Sequence, residues 1–145
     1  MYKSHLVITI GIFINSLSAN CLASEISDEE KLVNQAIESM ESCLHWGGEV
    51  GDQSEERNKQ IIEAEKRDCG KADKYVNLAY EKYPNNITLA SQLVRYVTED
   101  FMSVNSEELA IICRNAERFY KENKKDKYPI RYWYFEYKCM KLNGQ

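Results

Sequence analysis

The sequence predicts an all-α protein, a small bundle of about five helices stapled by two disulfide bonds. Five segments carry apolar residues three and four positions apart, which is the spacing of one face of an α-helix. No segment shows the sustained apolar–polar alternation of a half-buried β-strand. Turns that contain proline, asparagine and glycine separate the segments, as expected between the helices of a bundle.

Residues 1–23 are predicted to be a signal peptide, which leaves residues 24–145 as a single helical domain. Lys3 precedes the apolar run LVITIGIFI, and small or polar residues lead to a cleavage site after Ala23. The run is shorter than the ~20 residues that span a bilayer, so no stable membrane span is expected after cleavage. The mature protein is therefore expected to be periplasmic or secreted.

A lipoprotein leader, with Cys21 as the lipidated residue, is the less favoured alternative. Such leaders carry a small residue before the cysteine, whereas this sequence has Asn20. Cys21 is therefore assigned to the leader and left out of the disulfide framework.

The acidic composition argues against two classes of partner. The formal net charge is −4 at pH 7, and removing Lys3 with the leader makes the mature chain more acidic still. Nucleic acids and anionic membranes attract basic surfaces, so neither is expected to bind this protein. The expected partner is another exported protein.

Four cysteines remain in the mature chain, and an even number in a small exported domain predicts disulfides. Cys113 and Cys139 lie equally far from Asp126, in the polar stretch KENKKDK. If that stretch joins two antiparallel helices, the two cysteines face each other, which leaves Cys43 to pair with Cys69. Reduced thiols or metal ligands are the alternative, but no two cysteines have the CxxC spacing of a zinc site.

The first helix is predicted to start at Ser27, because Glu30 follows it at the spacing of a capping box. Gly47 and Gly48 are expected to end the helix, since glycine readily adopts the left-handed conformation there. The predicted apolar face consists of Val33, Ala36, Ile37, Met40, Cys43 and Leu44.

The second helix is predicted to start at Asp52 or Ser54, and Gly70 is a position where it could kink or split. Its first half is highly charged and is expected to be solvated. A tight hairpin through the glycine turn would place Cys43 opposite a residue well before Cys69. The predicted disulfide therefore requires the intervening segment to fold back or to cross.

Three further helices follow, each with its own start signal. The turn 84–86 leads into the third helix, Asn105 precedes the fourth, and Pro129 suits the first turn of the fifth. In the fifth helix, Ile130, Trp133, Tyr134 and Tyr137 share one face, whereas Tyr132, Phe135 and Cys139 share another.

The aromatic run in the fifth helix has two interpretations. Core packing is the first, because a helix that is apolar on several faces is usually buried. A binding interface is the second, because Tyr and Trp bury large areas and dominate interface hot spots. Tyr132, Trp133 and Tyr134 are therefore candidates for partner binding.

The string CLHWGGE, from Cys43 to Glu49, is the second distinctive feature. It resembles a Cys-x-His-Trp-x-Gly-Glu signature found in small exported proteins of uncharacterised function. The resemblance implies export and a helical, cysteine-bridged fold, and it carries no activity. A separate stretch, ADKYVNLAYEKYPNNITLASQLVRY, resembles the helix–turn–helix junction of tetratricopeptide repeats but has no second copy at the repeat period.

His45, Trp46 and Glu49 are the candidates for a ligand- or partner-binding site at this turn. An imidazole exchanges a proton near neutral pH, and a carboxylate can orient it. The structural interpretation is favoured, however: His45 would stabilise the C-terminus of the first helix, and Trp46 would cover a disulfide. Glu49 would then bond to the exposed backbone of the turn.

Catalytic and cofactor chemistry finds little support in the sequence. The mature chain has one histidine and neither a nucleophilic triad nor a phosphate-binding loop. A metal site built on His45, Glu49 and Asp52 would lack a second histidine. We therefore assign no catalytic residue, no metal ligand and no cofactor.

The leading hypothesis is an exported, non-enzymatic binding protein of the cell envelope, such as an inhibitor or an immunity protein. Periplasmic immunity proteins against cell-wall amidases are similar in size, helical content and export, although no motif assigns this chain to them. One alternative is a small-ligand-binding or hydrolytic envelope protein that uses His45 and Glu49. Another is an envelope structural or assembly factor that uses the aromatic helix.

Overall fold

The computed structural model describes residues 26–46 and 54–140, and within these ranges it contains five α-helices and no β-strand. The helices are α1 (Asp28–Trp46), α2 (Glu55–Lys82), α3 (Ile87–Thr98), α4 (Ser106–Glu122) and α5 (Pro129–Phe135). A 3-10 turn (Lys125–Lys127) precedes α5, and a π-helical turn (Glu136–Met140) continues it. The predicted all-α class is confirmed. The leader and Glu49 lie outside the described residues.

The helices begin at the capping residues that the sequence indicates. The Glu30 N–H donates to Ser27 Oγ over 3.1 Å at the start of α1. Ser54, one of the two predicted starts, caps α2, whereas Asp52 lies outside the described residues. Asn105 forms both bonds of a capping box at the start of α4. These bonds satisfy amides that have no partner inside the helix, which fixes where each helix starts.

Helix α3 is the centre of the bundle. It packs against α4 and α5 and also contacts α1, while α1 and α2 pack along each other. The apolar residues Leu89, Leu93 and Val94 of α3 are buried, and so are its polar residues Ser91 and Gln92. The Ser91 hydroxyl donates to the carbonyl of Thr88 over 2.7 Å, which satisfies it inside the bundle.

The disulfide between Cys43 and Cys69 joins α1 to α2, as predicted. The described segment that precedes Cys69 neither folds back nor crosses, because α2 is one uninterrupted helix. Gly70, where the sequence allowed a kink or a split, lies inside this continuous helix. Helix α2 begins 14 residues before Cys69, which corresponds to about 21 Å of helix. Its charged first half therefore lies beyond the C-terminal end of α1.

The disulfide between Cys113 and Cys139 joins α4 to the π-helical turn, which confirms the second predicted pair. The polar stretch between the helices forms the 3-10 turn, and Pro129 is the first residue of α5. Cys139 and Phe135 are both buried, so the last helix is held to the bundle by packing and by a covalent bond. Two disulfides are typical of proteins in an oxidising compartment.

Candidate functional site

Three exposed apolar side chains form a strip along α5 and the π-helical turn. Ile130, Trp133 and Tyr137 are 65%, 56% and 48% exposed, and their spacing of three and four residues places them on one face. The rings of Trp133 and Tyr137 stack at 5.7 Å with an interplanar angle of 11°. We call these three residues the α5 strip. Only three other large apolar side chains in the described ranges are exposed, and none lies on α5.

The other two predicted aromatic candidates pack against the protein. Tyr132 is half-buried, and its ring meets that of Tyr120 edge-on at 5.2 Å. Tyr134 is half-buried against α3, where the Arg95 guanidinium lies 5.4 Å from its ring centre. A hydrogen bond with Glu99 and partial burial raise the pKa of Tyr134. Trp133 is therefore the one member of the predicted trio that presents most of its surface to solvent.

Several contacts hold α5 against the rest of the bundle on the side away from the strip. Phe135, on the opposite face of α5, is 5% exposed and lies 5.3 Å from the Tyr120 ring. Arg131 extends along the helix over the Tyr128 ring at 4.5 Å and pairs with Glu41 of α1 at 3.6 Å. These contacts and the disulfide hold α5 against the bundle, so the backbone that carries the strip loses little conformational entropy on binding.

Trp46 and Asp68 form the second candidate site, where the end of α1 meets α2. Trp46 Nε1 donates a hydrogen bond to Asp68 Oδ2 over 2.9 Å. Arg67 Nε lies 2.9 Å from Asp68 Oδ1, and Lys71 Nζ lies 3.8 Å from the same oxygen. The hydrogen bonds from Arg67 and then Trp46 lower the pKa of Asp68 to about 2. Asp68 is therefore an anion at neutral pH and cannot serve there as a proton donor.

His45 lies beside this pair and is exposed, with its ring edge-on to Trp46 at 5.5 Å. The three side chains border an open hollow of about 470 Å³. We call it the Trp46 hollow; the residues that line it are Glu38, Glu41, Ser42, His45, Trp46 and Asp68. Its chemistry is that of a polar recess with several carboxylates and one imidazole.

Asp68 is a residue of this site that the sequence did not reveal. From the sequence, Glu49 is the carboxylate predicted to lie near His45, and Glu49 lies outside the described residues. One signal was available, since Asp68 immediately precedes the cysteine that pairs with Cys43. Trp46 follows Cys43 by one helical turn, so the disulfide brings it close to Asp68.

Comparison of this chain with protein-family models, with curated proteins and with solved structures found no match. Within residues 26–46 and 54–140, no group of three His, Cys, Asp or Glu side chains is placed to hold a metal ion. No helix in the same ranges has the length and apolarity needed to cross a bilayer. The surfaces described above are therefore the basis for any proposal about function.

Proposed function

We propose that this protein is an exported, non-enzymatic binding protein of the cell envelope that holds a partner protein on the α5 strip. The observation that carries the proposal is the clustering of Ile130, Trp133 and Tyr137 on one exposed face. Single exposed apolar residues are common on protein surfaces, whereas a contiguous apolar patch usually marks an interaction site.

The composition of the strip supports a protein partner. Trp and Tyr are enriched among the residues that contribute most to protein–protein affinity, because their large rigid rings exclude water over a wide area. Trp133 and Tyr137 are already stacked in the unbound protein. A partner would therefore meet a preformed surface instead of ordering mobile side chains, which favours affinity.

The rest of the molecule supports an exported partner. The leader predicted from the sequence and the two disulfides fit a periplasmic or secreted protein. Four cross-linked positions and a dense core make a rigid scaffold, which suits a protein that acts by occupying a surface of an exported enzyme. Inhibition of that enzyme, as by an inhibitor or an immunity protein, is the form of the function that we propose.

Affinity capture with a matched pair of variants tests this proposal. Oxidised residues 24–145 would be immobilised and exposed to an envelope extract of the source organism, beside the Trp133→Ala and Ile62→Ala variants. Ile62 is 52% exposed on α2, so its substitution removes a similarly exposed apolar side chain elsewhere. We expect a stoichiometric partner that binds the wild type and Ile62→Ala but is lost with Trp133→Ala.

The identity and activity of the captured protein then decide between the related functions. A partner enzyme whose turnover falls on binding supports an inhibitor or immunity protein. A partner without enzymatic activity supports an assembly factor that uses the same surface. Equal capture by the wild type and by Trp133→Ala would contradict the proposal that the α5 strip is the binding surface.

A second candidate function is small-ligand binding at the Trp46 hollow. The observation in its favour is that His45 and Trp46, both named from the sequence, line one recess with Asp68. His45→Ala tests it, since a ligand that contacts the imidazole would bind more weakly while the melting temperature stays unchanged. Loss of stability without loss of any ligand would instead assign His45 a structural role.

A further inference from the structure

A small hollow lies between α2 and the C-terminal end of α3, and it shares no residue with the α5 strip or the Trp46 hollow. Its volume is about 270 Å³. The residues that line it are Asp73, Val76, Asn77, Tyr96, Phe101, Met102 and Ser103. They come from two helices and from the loop that follows α3, so the tertiary structure alone brings them together.

Two stacked aromatic rings lie at one side of the hollow, and of the two only Phe101 is partly exposed. Tyr96 is 1% exposed, and the Phe101 ring stacks on it at 5.2 Å with an interplanar angle of 22°. The Tyr96 hydroxyl donates to Asp73 Oδ1 over 3.4 Å, a long hydrogen bond. Burial, reinforced by the Asp73 carboxylate, raises the pKa of Tyr96, so the phenol stays protonated and uncharged at neutral pH.

Phe101 follows the capping turn that ends α3. Asp100 has a φ of 61°, and it is the one non-glycine residue in the described ranges with a positive φ. The Phe101 N–H donates to the Tyr96 carbonyl over 3.0 Å and closes the turn. With the bond from the Asp100 N–H to the Val97 carbonyl, this is the pair of bonds that commonly ends an α-helix, and Asp tolerates the left-handed position between them. The turn places Phe101 against Tyr96.

The lining combines one anion with neutral acceptors and one partly exposed aromatic ring, that of Phe101. Asp73 supplies the carboxylate, while Asn77 and Ser103 supply oxygen atoms, and no Lys, Arg or His belongs to the described lining. The hollow therefore repels anions and attracts a cation. A lone carboxylate is a weak ligand set for a divalent metal, which prefers several charged oxygens. An ammonium group suits it better, since it offers three donors and is attracted to aromatic faces.

We propose that this hollow binds an alkylammonium group, with Asp73 as the counter-ion and the partly exposed Phe101 ring as the aromatic contact. The group could belong to a free amine or to the side chain of a lysine, because both present the same chemistry. The volume accommodates the ammonium and a short alkyl chain, and Met102, which is partly exposed, supplies an apolar contact for that chain. This proposal does not depend on the function proposed for the α5 strip.

Titration of the 15N-labelled protein with n-butylammonium, followed by NMR, tests the proposal. We expect saturable shifts confined to amides near residues 73–77 and 96–103. The neutral analogue n-butanol, at the same concentration, is expected to produce none. A second arm uses Nα-acetyl-lysine amide: shifts with both probes admit a lysine as the source, and shifts with n-butylammonium alone restrict the site to free amines. Absence of saturable shifts with both probes would overturn the proposal.

Three variants assign the binding to the named residues. Asp73→Asn removes the charge of an exposed side chain and is expected to weaken n-butylammonium binding about tenfold or more. Asp126→Asn removes an exposed carboxylate from the turn before α5 and is expected to leave binding unchanged. Phe101→Leu keeps an apolar side chain and removes the ring, which should weaken binding about two- to fivefold. Equal affinity in Asp73→Asn and the wild type would contradict the site.

Discussion

Trp46 and Asp68 are joined by a 2.9 Å hydrogen bond from the indole Nε1 to a carboxylate oxygen, across the interface between α1 and α2. The Cys43–Cys69 disulfide joins the same two helices close to this hydrogen bond. Trp46 follows Cys43 by one helical turn, whereas Asp68 and Cys69 are adjacent. This corner of the bundle is therefore fixed twice, once covalently and once by a charge-assisted hydrogen bond.

Asp68→Asn is expected to lower the melting temperature at pH 7 by about 3 °C, because a charge-assisted hydrogen bond becomes a neutral one. The folded-state pKa of about 2 is lower than the unfolded-state value. The contribution of Asp68 is therefore complete above about pH 4 and is lost as the pH falls towards 2. Melting curves of the wild type and the variant between pH 7 and 2 measure this.

The control for this prediction is Asp126→Asn, which changes an exposed carboxylate of the 3-10 turn. Trp46→Phe keeps a ring and removes the indole donor, so its effect should not add to that of Asp68→Asn in the double variant. A melting-temperature difference between Asp68→Asn and the wild type that stays constant from pH 7 to 2 would contradict the assigned role of the charge.

Removal of either disulfide by paired alanine substitution is expected to lower the free energy of unfolding by about 3.5 kcal/mol in the entropic account. Both bonds join residues 26 positions apart, so the account gives the same value for Cys43–Cys69 and Cys113–Cys139. Urea denaturation of the two double variants measures the two values. A loss of less than about 1 kcal/mol in one variant would contradict the entropic account for the corresponding disulfide.

Phe135→Ala and Trp133→Ala are expected to differ strongly in stability although the residues are two positions apart. Phe135 is 5% exposed, so its truncation leaves a cavity and lowers the free energy of unfolding by about 3–5 kcal/mol. Trp133 is 56% exposed, and its truncation should change stability by less than about 1 kcal/mol. Urea denaturation separates these outcomes, and a large loss in Trp133→Ala would assign Trp133 to the core instead of a binding surface.

Tyr120→Phe is expected to leave the free energy of unfolding unchanged or to raise it by up to about 1 kcal/mol. The Tyr120 hydroxyl is buried and has no hydrogen-bond partner within the described ranges. Removing it therefore removes the desolvation cost that this hydroxyl adds to folding. Burial also raises the pKa of this phenol. Tyr96→Phe is the matched comparison, because it removes a hydroxyl that bonds to Asp73. A larger loss of stability in Tyr120→Phe than in Tyr96→Phe would contradict this assignment.

Local signals in the sequence were sufficient for the helices and the disulfides. Ser27, Ser54 and Asn105 cap helices because their side chains accept bonds from nearby backbone amides, an interaction that needs no distant partner. The symmetric placement of Cys113 and Cys139 about a polar turn indicated their pairing, since antiparallel helices bring equidistant residues together.

The sequence by itself determined the helical class, the helix starts, the cysteine pairs and the aromatic character of α5. Only the tertiary structure decided which side chains meet. Trp133 and Tyr134 are neighbours in the sequence, yet Tyr134 contacts α3 and Trp133 faces solvent. Likewise, Asp68 and Asp73 gained their partners from α1 and α3. Periodicity fixes the faces of a helix, whereas contacts with other helices, distant along the chain, determine which faces become buried.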